Sequence, residues 1–115
     1  MSEFIYKICP EALWRKAEKS GRFDGAPVDL ADGYIHFSRA AQLRETAARH
    51  FAGQDGLLLV AIDPEALEGQ LRWEPSRGGE LFPHLYSPLP MSAVRNVEPL
   101  PMDGSGGHVF PAGIP

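Results

Sequence analysis

Between Trp73 and Tyr86 the chain reads Trp-Glu-Pro-Ser-Arg-Gly-Gly-Glu-Leu-Phe-Pro-His-Leu-Tyr, gathering two carboxylates, an arginine, a histidine, a tyrosine and a glycine pair. Glu74, Glu80 and His84 can hold or move protons, and Arg77 offers a fixed positive fork for phosphate or carboxylate. Gly78 and Gly79 let the backbone adopt positive φ or approach a ligand closely. They equally suit a hairpin turn, and the two uses are compatible. A second polar group stands in Tyr34-Ile35-His36-Phe37-Ser38. In an extended segment His36 points opposite to Ile35 and Phe37, so if those two face the core, His36 faces a cleft or solvent. Its alternatives are a satisfied structural histidine or a polar ligand contact. Ser38 reads as a helix N-cap rather than a nucleophile, because no Gly-x-Ser-x-Gly elbow surrounds it. Cys9 precedes a helix start but reads as a small buried thiol. Trp14 and Trp73 read as core or wall aromatics, and Tyr6, Tyr34 and Tyr86 as half-buried strand residues or partners for a planar ring. No His-x-x-x-His or Cys-x-x-Cys spacing links His36, His50 and His84, so no metal site is indicated.

These residues need elements to hold them. Phe4 to Ile8 has the apolar and aromatic character of a mostly buried strand. Pro10 opens a helix with Glu11 in its first turn, Lys16 and Lys19 towards its end, Gly21 as its stop, and Leu13, Trp14 and Ala17 inward. Phe23 to Gly33 shows no sustained period and reads as a loop. Tyr34 to Phe37 is a strand, and a helix follows over Arg39 to Phe51 with Ala40, Leu43, Ala47 and Phe51 on one face. Leu57 to Ile62 is apolar without alternation, as in a central strand covered on both faces. Asp63 to Gly69 carries the cap, proline and closing glycine of one or two helical turns. Leu71 to Glu74 and Glu80 to Tyr86 are extended segments around the glycine turn, Val94 to Leu100 is a last strand, and Pro101 to Pro115 is an irregular Gly/Pro-rich tail. Strands alternating early with helices and clustering later describe an α+β domain with two to three helices on a bent or split sheet.

The 115 residues, 43% hydrophobic and 10% aromatic, suit one soluble domain over 1–100 with a tail over 101–115. Fifteen acidic against eleven basic residues give a formal charge of -4, which disfavours extended nucleic acid but leaves room for a small, phosphorylated ligand held by a local arginine. One cysteine excludes a disulfide framework, the start lacks the order of a secretory signal, and no apolar run reaches the length of a membrane span, so the expected compartment is the cytoplasm.

Ile5-Tyr6-Lys7-Ile8, Trp14, Asp32-Gly33-Tyr34-Ile35-His36-Phe37-Ser38 with Gln42, Thr46-Ala47, Ile62-Asp63 and Ser76 to Tyr86 resemble the bacterial family known as domain of unknown function 952. The resemblance covers about residues 4 to 100. It implies an ADP-ribosyltransferase-like fold, most similar to the RNA 2'-phosphotransferases, whose aromatic-Val-His-Leu-Ser segment is similar to Tyr34 to Ser38. Those enzymes use NAD. The implied site is a nucleotide cleft lined by Tyr6, Lys7, His36, Ser38, Ser76, Arg77, Gly78, Gly79, His84 and Tyr86. In it Arg77 or Lys7 would orient phosphate, His36 would hold a ribose or base, Tyr86 would stack, and Glu80, or Glu74 in its place, would stabilise the positive charge that develops when NAD loses nicotinamide. Where those transferases carry His-Gly-Thr on their first strand, this chain has Tyr6-Lys7-Ile8. A charged lysine donates only, which also fits a binding module that has lost the chemistry, and an enzyme acting on another small phosphorylated metabolite is the third alternative.

Overall fold

The computed structural model describes residues 3–67 and 70–115, without the Arg77 side chain. Strand β1 (Ile5–Pro10) leads into helix α1 (Glu11–Ser20), which buries Trp14 and Ala17 and ends at Gly21 with φ 89°. Pro10, placed by sequence inside the helix, is the last residue of β1 and caps α1. Next come β2 (Arg22–Phe23) and helix α2 (Pro27–Asp32). This corrects the loop expected over Phe23 to Gly33: Pro27 sits at the first turn, the Asp29 carboxylate accepts the Ala26 N–H at 2.7 Å, and Gly33 closes the helix at φ 88°.

Strands β3 (Ile35–His36) and β4 (Ser38–Arg39) are followed by a 3-10 turn at Ala40–Gln42 and helix α3 (Leu43–His50). Ser38 is therefore a strand residue, paired with Tyr6, and not a helix cap. The turn is closed instead by Gln42, whose Oε1 accepts the Arg39 N–H at 2.9 Å while its Nε2 donates to Leu81 O at 3.0 Å. Strand β5 (Leu57–Ile62) is buried at all six positions. A 3-10 turn at Pro64–Ala66, capped by Asp63, leads to β6 (Leu71–Pro75); Gly69, expected to close that turn, lies outside the described residues. After the turn at Arg77–Gly79 come β7 (Leu81–Leu85), β8 (Leu89–Pro90) and β9 (Val94–Leu100).

Every strand pairing is antiparallel. The main sheet runs β4-β1-β5-β9, a second runs β3-β7-β6, and β2 pairs with β8. Alternation along β5 divides the core. Leu58, Val60 and Ile62 join Ile5, Cys9, Trp14, Phe23, Ile35, Phe37 and Leu85 on one side, and Leu57 and Leu59 join Ile8, Leu43, Ala47 and Leu100 on the other. Phe37 is the seam between the sheets: His36 before it pairs with His84, Ser38 after it pairs with Tyr6, and its own N–H donates to Pro83 O at 3.0 Å.

The segment Pro101–Pro115 is irregular apart from one bridge, Met102 with His108. It lies against the second core group through Phe110 and Ile114. Arg44 stands 4.9 Å over the Phe110 ring and donates to the Ile114 and Pro115 carbonyls at 3.2 and 2.7 Å.

Candidate functional site

At the seam the chain concentrates charge. Lys7 shares the inward face of β1 with Ile5 and Cys9, and its ammonium is 2.9 Å from Asp29 Oδ2 with only 6% of the residue exposed. It also donates to His36 O at 2.9 Å. Asp29 is 1% exposed and accepts further from the His36 N–H at 3.1 Å and from His36 Nδ1 at 2.6 Å. One carboxylate thus ties β1, α2 and β3 together. Burial pushes its pKa up, but the bonds from His36 and Lys7, the Lys7 charge and the Ala26 N–H outweigh that and hold it down at about 2. Burial lowers the Lys7 pKa against the pull of Asp29. Burial raises the Cys9 thiol to about 11, as expected of an unreactive buried cysteine.

His36 is gripped from both sides, because its Nε2 lies 2.9 Å from Asp32 Oδ2, one helical turn beyond Asp29 on α2. Donating to both acids requires a proton on each nitrogen. Directly opposite on β7 stands His84, whose Nδ1 meets Glu74 Oε1 at 2.9 Å; the Tyr86 hydroxyl donates to the same oxygen at 2.7 Å. The two imidazole rings meet edge-on with centroids 5.4 Å apart, and Tyr34 packs against both and against Tyr86, its centroid 4.6 Å from His36, 4.3 Å from His84 and 5.1 Å from Tyr86.

Of these groups Lys7, Asp32, His36 and His84 border a cleft of about 480 Å³. Its lining is supplied by Tyr6, Lys7 and Ile8 of β1, by His36, Phe37 and Ser38 at the seam, by Phe82 and His84 of β7, by Thr46, His50 and Phe51 of α3 and the residue after it, and by Val28, Asp32 and Ser76. The Ser38 and Thr46 hydroxyls are 3.1 Å apart.

The structure brings together Tyr6, Lys7, His36, Ser38, Ser76 and His84, all expected from sequence to line one cleft. Others stand elsewhere. Glu80 is outside the lining, its side chain 53% exposed and paired with Arg39 at 3.6 Å. Lys7 is engaged by Asp29 rather than left free for phosphate. Gly78 and Gly79 are exposed in the turn with φ 69° and 81°, and Tyr86 is outside the cleft, its ring tilted against Tyr34 with the Arg72 guanidinium 4.9 Å from the centre of the Tyr86 ring. Trp73, expected as core or wall, is 44% exposed. The Arg77 side chain lies outside the described residues. No group of three or more His, Cys, Asp or Glu among the described residues is placed to hold a metal ion. Sequence reasoning missed Asp29 and Asp32; the proline two residues before Asp29 and the glycine after Asp32 were the signals that a helix held them.

Fold and site define an α+β protein in which two antiparallel sheets meet at a cleft built on a buried carboxylate, lysine and histidine network. Residues 8–97 match the family described as Protein of unknown function (DUF952), and the chain belongs to that family. It is 49% identical to protein CC0527 from Caulobacter crescentus, whose X-ray crystal structure covers 92% of this chain and 93% of its own with a TM-score of 0.89. The solution NMR structure of CC0527 is 50% identical over 90% of each chain, with a TM-score of 0.81. No curated protein matches the chain.

Proposed function

We propose that the chain binds a nucleotide of the NAD or ADP-ribose type in this cleft, on an ADP-ribosyltransferase-like fold formed by residues 1–100, and acts as a transferase or glycohydrolase in the cytoplasm. The observation that carries the reading is His36, fixed between Asp29 and Asp32 at the edge of a cleft whose remaining surface is largely aromatic and apolar. A volume near 480 Å³ suits a small-molecule site. Phe37, Phe51, Phe82 and Tyr6 provide faces for a planar ring, and the hydroxyls of Ser38, Thr46 and Ser76 suit ribose. The meeting of two antiparallel sheets at the cleft supports the fold relationship, and one buried cysteine fits a reducing compartment.

NAD enters as substrate. Loss of nicotinamide leaves positive charge on the ribose, and Asp32, which borders the cleft, replaces Glu80 as the carboxylate suited to face it. Phosphate falls to His50, since the Lys7 charge is matched by Asp29. A second reading, a binding module without chemistry, is favoured by one observation: Asp32 already pairs with His36. Calorimetric titration with NAD and ADP-ribose tests the binding. Saturating ligand at a hundred times Kd raises stability by about 2.7 kcal/mol, and His36→Ala weakens binding at least tenfold. No heat and an unchanged melting temperature with both nucleotides sink the proposal. Nicotinamide release separates the enzyme from the module.

A further inference from the structure

The two histidines that face each other across β3 and β7 have different surroundings. His36 has a carboxylate at each ring nitrogen, Asp29 at Nδ1 and Asp32 at Nε2. His84 has one, at Nδ1, and its Nε2 has no protein partner among the described residues although the residue is only 3% exposed and borders the cleft. Buried polar atoms are nearly always satisfied, so one left open at a cleft wall calls for a ligand. Glu74 is itself held: its Oε1 takes the Tyr86 hydroxyl as well as His84, and Arg72 stands against Tyr86. In the tautomer that donates from Nδ1 to Glu74, Nε2 carries the lone pair and accepts. Stacking on Tyr34 at 4.3 Å fixes the plane of the ring.

We propose that His84 is the general base of the cleft, with Glu74 as its positioning residue. The proposal rests on the nucleotide reading above and adds to it the group that activates the attacking oxygen. As the oxygen of water, or of an acceptor hydroxyl, forms its bond to the ribose carbon, the proton of that O–H passes to His84 Nε2. The bond from that carbon to nicotinamide breaks, and its electron pair stays on the departing ring nitrogen, which leaves neutral. His84 then releases the proton to solvent, so the products are nicotinamide, ADP-ribose or its adduct, and one proton.

Nicotinamide release from NAD, followed beside ADP-ribose affinity on the full chain, tests this. In His84→Asn the amide reproduces the Nδ1 donor to Glu74 but lacks Nε2. Release is expected to fall about 100-fold or more while the Kd for ADP-ribose stays within a few-fold. Glu74→Gln is expected to lower kcat about tenfold with KM held, and to change the His84 ring ¹⁵N shifts as the proton is no longer fixed at Nδ1. Two results overturn the base while leaving the nucleotide site intact: NAD bound by the wild type without nicotinamide release, or release undiminished in His84→Asn. Failure of the wild type to bind either nucleotide removes the nucleotide reading and this proposal with it.

Discussion

Asp29 takes bonds from Lys7, the Ala26 N–H and both the backbone and ring of His36, so its charge is the hub of the site. Its pKa of about 2 lies below the usual 3.8, so the ionised form is favoured by folding. That contribution is complete above pH ~4 and is lost as pH falls from about 4 to 2; roughly two pKa units correspond to ~2.5 kcal/mol. Urea unfolding at stepped pH is expected to show this acid loss in the wild type and not in Asp29→Asn. At pH 7 the same substitution is expected to cost about 3–5 kcal/mol, because it leaves the Lys7 ammonium buried without its counter-charge. An equal acid slope in both proteins would contradict this account. At this scale the sequence revealed His36, because alternation with Ile35 and Phe37 turned it outward, and His84, because it stood among other polar groups. Asp29 was hidden. Its importance comes from burial against β1, 22 residues away from Lys7, and no local pattern encodes that.

The β6–β7 hairpin carries Glu74, His84 and Tyr86 on one face, and its turn sets their register. Ser76 N–H donates to Glu80 O and Gly79 N–H to Ser76 O, each at 2.9 Å, with Gly78 and Gly79 left-handed. A Cβ at Gly78 meets open space, so Gly78→Ala isolates the backbone cost, expected at about 1–2 kcal/mol by chemical denaturation. A slip of one residue would turn Glu74 away from His84. The hairpin was legible from its glycine turn, α1 from its inward stripe and glycine stop, and β5 from an unbroken apolar run of six residues. Helix α2 was not, since six residues are too few to display a helical stripe. Ser38 misled for a related reason: a serine after an apolar run resembles a cap until the partner strand β1 is known.

Across the whole molecule, the irregular C-terminal segment contributes to the second core group, against which Phe110 and Ile114 pack. Phe110→Ala is expected to lower stability by about 2 kcal/mol, with the loss read from the thermal midpoint and from urea unfolding; an unchanged midpoint would mean that this segment rests on the sheet without supporting it. No helix among the described residues is long and apolar enough to cross a membrane. The α+β class and a bent or split sheet could be read from the order of elements, whereas the place of the split could not, because it depends on which distant strands claim His36 and Ser38. That division at Phe37 has a mechanical consequence. His36 belongs to one sheet and Ser38 to the other, yet only two peptide units separate them, a span of about 7 Å. The gauge of the cleft at this point is therefore set covalently, so a substitution that loosens packing between the sheets can splay their far edges while the spacing of the imidazole and the hydroxyl stays tethered.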